Sequence, residues 1–197
     1  MNIRQEQASD EPGIRRVNET AFSRPEEAAL VDALRAAGAV ICSLVADKAG
    51  EVVGHILFSP ATLTSHSNPA RQLHSPTHDQ STSQEPRNST SRPEGQPQSL
   101  PLAALGPIAV SPTHQRQGIG GQLIAAGLEF CRAAGYDLVI VLGHREYYPR
   151  FGFRPAAPLG IRWEHGAEAH FMVMELRPGA LAGVSGVARY RPEFDGV

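Results

Sequence analysis

Cysteine is scarce in this 197-residue chain: Cys42 and Cys131 are the only two. A pair that far apart forms neither a disulfide framework nor a metal-ligand spacing, so no metal is expected. A surplus of one charge is also lacking. Lys and Arg total 18 against 20 Asp and Glu, a formal net charge of -2, which offers no electrostatic footprint for nucleic acid or an anionic membrane. Long apolar runs are absent too. The longest, Leu138 to Leu142, falls far short of the ~20 residues a spanning helix needs. The first dozen residues are polar and carry no secretory signal pattern. These absences lead to the expectation of a soluble protein of a reducing compartment, most simply the cytoplasm.

Proline and glycine are in excess, at 16 and 19 residues. Part of the proline lies in an interruption at 64–99, which has no Val, Ile, Met, Phe, Tyr or Trp and only Leu73 as a large aliphatic. Such a segment cannot bury enough apolar surface to offset an ordering entropy of about 1–2 kcal/mol per residue. The expectation is a disordered, low-complexity insert within a single domain spanning 1–197. Its His66, His74 and His78 read as solvated side chains and not as ligands.

The rest predicts alternating strands and helices. MNIRQEQ opens as a short strand, and Asp10 with Pro12 starts a helix carrying Ile14, Val17 and Ala21 on one face. Ser23-Arg24-Pro25-Glu26 has the form of a capping box for a second helix with Leu30, Val31 and Leu34. Val40–Ala46 and Val52–Phe58 pair as a hairpin about Asp47–Gly50. Leu102–Val110 is a further strand, and a helix from about Gln122 to Ala134 presents Leu123, Ile124, Gly127, Leu128 and Cys131 as one stripe. LVIVL is a strand buried on both faces. A short aromatic helix near 145–151 and strands near Phe153 and His170–Leu176 follow. This pattern predicts a mixed α/β sheet covered on both faces.

The chemistry concentrates in LGPIAVSPTHQRQGIGGQL, Leu105 to Leu123. A buried strand enters a glycine-containing loop that opens into a helix, so backbone N–H groups converge on a site for phosphate. The P-loop pattern fails because no Lys follows Gly118 or Gly120. The dinucleotide pattern meets Leu123 at its third glycine, and Asp137 precedes its strand. The pattern [QR]xxGx[GA] is met by Gln115, Gly118 and Gly120.

With that motif the sequence resembles the GCN5-related N-acetyltransferase (GNAT) superfamily. Pro107 inside the strand, and Tyr148, Gly152 and Phe153 in a Y-x-x-x-G-F element, are similar to the same family. LGPIAV, YYPRFGF and FMVMELRPGAL resemble a bacterial subgroup of predicted acetyltransferases. The resemblance implies a mostly antiparallel twisted sheet, flanked by helices and splayed where acetyl-CoA lies. It implies a pyrophosphate held by backbone amides of Gln115, Arg116, Gln117, Gly118, Ile119, Gly120 and Gly121. It also implies a pantetheine arm along Ile108, Ala109 and Val110, and Tyr148 as the acid for the departing thiolate, with Tyr147 the fallback.

The expected reaction is direct transfer of acetyl from acetyl-CoA, a cosubstrate, to an amine within a ternary complex. Arg116 and Gln117 would bring charge and amides to the diphosphate, and a backbone amide of Ile108–Val110 would support the oxyanion. No motif encodes a base. His144, at the C-terminal end of the buried strand, is the first candidate; Glu146, Glu19, His55 and a relayed water follow, while His114 flanks the loop. The acceptor, expected among the first two helices and 161–170, is a small-molecule or protein amine. A non-catalytic acyl-CoA-binding module is the alternative, and it would retain Gln115–Gly120 without needing Tyr148.

Overall fold

The computed structural model describes residues 1–65 and 100–196. Three α-helices and nine strands occur among them: β1 Asn2–Gln5, α1 Glu11–Phe22, α2 Glu26–Ala36, β2 Cys42–Lys48, β3 Glu51–Ser65, β4 Leu102–Val110, α3 Ile119–Ala133, β5 Leu138–Leu142, β6 Arg154–Pro155, β7 Ile161–Trp163, β8 Phe171–Glu175 and β9 Gly186–Arg189. The main sheet runs β1-β2-β3-β4-β5-β8-β6. Every pairing on that path is antiparallel except β4–β5, which is parallel and bridged by α3. Mostly antiparallel order with one crossover is the mixed fold expected from the sequence. No helix among the described residues is long and apolar enough to cross a membrane.

Strand alternation sorts the core onto two faces. Leu44, Ala46, Ile56 and Phe58 pack with the α3 stripe of Leu123, Ile124, Leu128 and Cys131. Val45, Leu57 and Ala109 face the other way, onto Ile14, Val17, Leu30 and Leu34 of α1 and α2. Further along that second face, Leu102, Leu138, Ile140 and Phe171 meet Ile161 and Ala188 from β7 and β9.

Three local expectations are corrected. The insert expected from 64 begins later, because Thr64 and Ser65 extend β3 to pair with Val187 and Gly186 of β9; the remainder of that expectation lies outside the described residues. The Ser23–Glu26 capping box does not form. Ser23 takes a left-handed conformation (φ 58°) that closes α1, and Pro25 precedes α2 without a side-chain cap. Asp10 stands before α1 but does not cap it; its carboxylate accepts from Arg4 at 2.6 and 3.0 Å and from the Gln7 N–H. Asp137, whose place before β5 spoke against the dinucleotide pattern, is held by Arg177 at 2.6 and 2.8 Å. Strands β7 and β9 went unread because they are three and four residues long within a Gly- and Pro-rich stretch.

A buried polar chain ties α1 and α2 through the sheet. Asn18 Nδ2 donates to the Ile14 carbonyl and lies 3.2 Å from His55 Nδ1, whose ring is wholly buried. His55 Nε2 sits 3.0 Å from Ser43 Oγ, and Ser43 donates to Glu6, which Arg35 grips with two N–H groups. Burial lowers the His55 pKa to about 3. Burial also works to lift the Glu6 carboxyl, but hydrogen bonds from Arg35 and Ser43 hold it below its ordinary value.

The unfolded chain therefore protonates His55 near its ordinary pH of about 6.5 while the folded chain does not, so stability rises with pH through this window and is lost as pH falls. Between pH 7 and pH 5 this group alone removes about 2 kcal/mol. Denaturant melts across that range are expected to show the slope, and His55→Gln to flatten it. An unchanged slope in the variant contradicts the assignment.

Candidate functional site

Strand β4 pairs with β5 only from Leu102 to Leu105, opposite Leu138 to Val141. Its pairing with β3 shifts register between Ile56 and Phe58, so Gly106 and Pro107 both fall opposite Leu57. This is a bulge, and proline suits it because it has no N–H to give to the ladder. Beyond the bulge Ile108 to Val110 continue alongside β3 and have no β5 partner. The sheet is open on that side.

The loop after β4 begins as a 3-10 turn, Pro112–His114, and ends at Gly118, the N-cap of α3. Arg116 (φ 60°) and Gly118 (φ 83°) both take left-handed conformations. For arginine that costs about 1–2 kcal/mol, strain characteristic of ligand loops. Side chains brace the loop from within: Gln115 Nε2 donates to the Val110 carbonyl at 3.1 Å and Gln117 Nε2 to the Thr113 carbonyl at 3.2 Å. The first-turn N–H groups of α3 have no intrahelical acceptors, and Gly118 offers no side-chain cap.

Above this loop lies a cleft of about 800 Å³. Of the expected residues, Ile108, Val110, Gln115, Arg116, Gly118 and Ile119 line it. So do Gly120, Gly121, His144 and Tyr148. Ala109 and Gln117 do not: Ala109 is buried against α1 and α2, and Gln117 is spent on the loop. A Cβ at Gly120 would stand 2.9 Å from Tyr147 Oη and within 4 Å of Val110 and Ile108, so any side chain here would crowd this wall of the cleft. Arg116 and Arg150 supply positive charge, neither has an ion-pair partner among the described residues, and no Asp or Glu lines the cleft. Arg150 lies over the Tyr147 ring, 4.3 Å from its centroid, and donates to the Tyr147 carbonyl. Arg150 and Phe151 therefore join Tyr147, already named as the fallback for Tyr148, at the site; their signal was the YYPRFGF run.

Tyr148 opens a 3-10 turn after β5 and is only 6% exposed. Gly143 makes this possible: a Cβ there would fall 2.3 Å from the Tyr148 ring. Tyr147 and Phe153 pack edge-on to it. Burial, reinforced by Tyr147, pushes the Tyr148 phenol up to about 12.

A second pocket, about 420 Å³, opens beside the first. Ile108, His144 and Tyr148 line both. Its other walls come from Phe22 and Leu30, from Leu142, and from Trp163, Tyr190 and Phe194. Within it Arg24 grips Glu27, whose side chain is 5% exposed. Of the acceptor residues expected from 161–170, Trp163 alone lines it. Glu19, Glu164 and His165 instead lie against Arg15, Arg189 and Asp195, and Glu146 lines neither cavity. His55 is sealed in the polar chain, away from both. Glu27 was missed although its signal was legible: an acid in the apolar stripe with Leu30 and Leu34.

Residues 11–153 match the family model described as the Acetyltransferase (GNAT) family. The chain is 32% identical to the uncharacterized N-acetyltransferase YhbS of Escherichia coli K12 over 99% of both chains. It is 34% identical to the uncharacterized N-acetyltransferase YjhQ of the same organism, over 89% of this chain and 85% of that one. The crystal structure of E. coli YhbS in complex with CoA superposes with a TM-score of 0.78 at 31% identity, covering 98% of this chain and 91% of that one. A GNAT family acetyltransferase from Brucella melitensis, in complex with acetyl-CoA, does so with a TM-score of 0.70 at 32% identity, covering 98% and 97%.

The environment of the phenols has a direct readout. Burial raises all four tyrosines of the chain, Tyr136, Tyr147, Tyr148 and Tyr190. Tyrosinate absorbance of the folded protein is expected to lag that of the unfolded chain, which titrates near pH 10. Tyr148→Phe should leave the folded titration unchanged below about pH 11. A tyrosinate step near pH 10 that the substitution abolishes contradicts the burial described.

Proposed function

The chain belongs to the GNAT family of acetyltransferases, and on that premise we propose that it moves an acetyl group from acetyl-CoA to a primary amine by direct attack in a ternary complex. The observation that carries this reading is the meeting of two cavities at one tyrosine. The first is cationic and edged by a helix N-terminus and unpaired strand backbone. The second is largely apolar, and Tyr148 lines both.

In this reading the diphosphate of the donor rests on the N–H groups of Gly118 to Gly121, where the helix dipole favours negative charge. Arg116 and Arg150 neutralise the remaining phosphate charge at the mouth. The pantetheine arm runs along Ile108 to Val110 as an added strand, using backbone groups that β5 leaves free. Ala109 contributes through its backbone alone, and Gln115 and Gln117 hold the loop in shape.

Transfer begins with the loss of a proton, since an alkylammonium, with a pKa of about 10.4, has no lone pair for attack. His144 is exposed, lines both cavities and takes that proton, directly or through water. The amine nitrogen then bonds to the thioester carbon. The carbonyl oxygen gains charge facing a backbone N–H of the opened strand. As the C–S bond breaks, Tyr148 donates its proton to the thiolate, and the second proton, lost by the nitrogen as the amide forms, returns through water to the phenol. A phenol pushed up to about 12 stays protonated through neutral pH, so the acid is always armed.

Thiol release from acetyl-CoA across a panel of amines tests this. Tyr148→Phe is expected to lower kcat by about 10²-fold or more while acetyl-CoA Kd, measured by calorimetry, stays within about twofold. Gly120→Val should do the reverse in kind, weakening acetyl-CoA binding by about tenfold or more by filling the cleft. Turnover indifferent to Tyr148→Phe removes the acid; acetyl-CoA binding without turnover of any amine returns the chain to the binding-module alternative.

A further inference from the structure

The second pocket carries information about the acceptor. Among the described residues only two large apolar side chains besides Met1 are markedly exposed, Phe22 at 37% and Leu142 at 40%. Both line this pocket. Exposed apolar side chains scattered singly need no explanation, but two at the mouth of one cavity make a hydrophobic rim. Inside, Trp163, Tyr190 and Phe194 form a continuous aromatic wall, with ring centroids 6.2 Å apart for Trp163–Tyr190 and 4.9 Å for Tyr190–Phe194.

Charge narrows the choice further. The lining holds one carboxylate, Glu27, and its charge is already matched by Arg24. A polyamine or aminoglycoside presents several ammonium groups, and each one taken from water needs an anionic or hydrogen-bonding partner. This pocket has no unpaired anion to offer, and its unpartnered polar atoms, the Tyr190 hydroxyl and Trp163 Nε1, carry no charge. The Arg24 guanidinium is likewise committed, which leaves no free cation for an acceptor carboxylate. At about 420 Å³ the cavity lies within the ~300–1,000 Å³ typical of small-molecule sites.

We propose that the acceptor is a monoamine on an apolar, preferably aromatic, body: the body fills the space between the Phe22–Leu142 rim and the Trp163–Tyr190–Phe194 wall, and the amino nitrogen reaches the junction at His144 and Tyr148. This rests on the transfer reading above. Selectivity then comes from the pocket's lack of unpaired charge as much as from its apolar contacts, since a second ammonium would be desolvated without compensation.

The test compares phenethylamine and tryptamine with spermidine and a short peptide bearing a free N-terminus, each with acetyl-CoA and the full-length protein, by thiol release and product mass. The arylalkylamines are expected to exceed the other two in kcat/KM by about tenfold or more. Phe22→Ala, an exposed change that spares the core, should raise KM for phenethylamine about fivefold with kcat and acetyl-CoA Kd unchanged. Spermidine or the peptide as preferred acceptor overturns the inference and leaves the transfer reading intact. A Phe22→Ala protein with unaltered KM for phenethylamine also overturns it. No thiol release with any of the four, by protein that still binds acetyl-CoA, overturns the transfer reading and this inference together.

Discussion

Everything at this site depends on the point where β4 parts from β5. Up to Leu105 the two are hydrogen-bonded in parallel. Gly106 and Pro107 then occupy a bulge opposite Leu57, and the strand that emerges follows β3 alone. A proline N atom has no hydrogen to offer a neighbouring strand, so the ladder cannot be resumed through that residue. The resulting gap opens to both faces of the sheet. On one side it continues into the cleft above the α3 N-terminus, on the other into the aromatic pocket, and Ile108, His144 and Tyr148 border both.

The two cavities differ in electrostatics as the proposed roles require. One has Arg116 and Arg150 at its edge and no carboxylate, which suits a polyanion. The other has its only ion pair internally balanced and suits a guest of little charge. Between them Tyr148 is buried enough to remain protonated, whereas His144 is exposed. Apolar packing holds both walls, and on one of them a polar chain is added. Apolar packing fixes α3 to one face. On the other, the buried chain from Asn18 through His55 and Ser43 to Glu6 and Arg35 ties α1 and α2 to the strands. A connected polar network of that kind, in which Asn18 Oδ1 alone lacks a partner, favours one arrangement of helices where apolar contacts tolerate sliding.

Much of this was legible in the sequence where the signal is local. Leu102–Val110 and Leu138–Leu142 were read to the residue, and the α3 stripe is buried as its spacing implied. The loop from Gln115 to Gly121 carried its own pattern. The helix start at Ser23 was misread because the box has the right residue types, yet Ser23 was needed in a left-handed conformation to end α1. Nor was the aromatic pocket legible. Phe22, Leu142, Trp163, Tyr190 and Phe194 come from well-separated segments, and only the pairing of β9 with β3 and β7 brings the last of these near β5. Periodicity reports which way a side chain faces within its own element; it does not report which distant elements will share a cavity.

Amide hydrogen exchange with and without acetyl-CoA tests the central claim most directly, because the claim concerns backbone groups. Ile108–Val110 and Gly118–Gly121 are separated in sequence by the loop but border one cleft. Saturating acetyl-CoA is predicted to slow exchange in both segments together, while the β1–β2 pairing, remote from the cleft, stays unchanged. Protection of the loop without the strand, or of neither, would contradict a donor laid along the opened edge of β4.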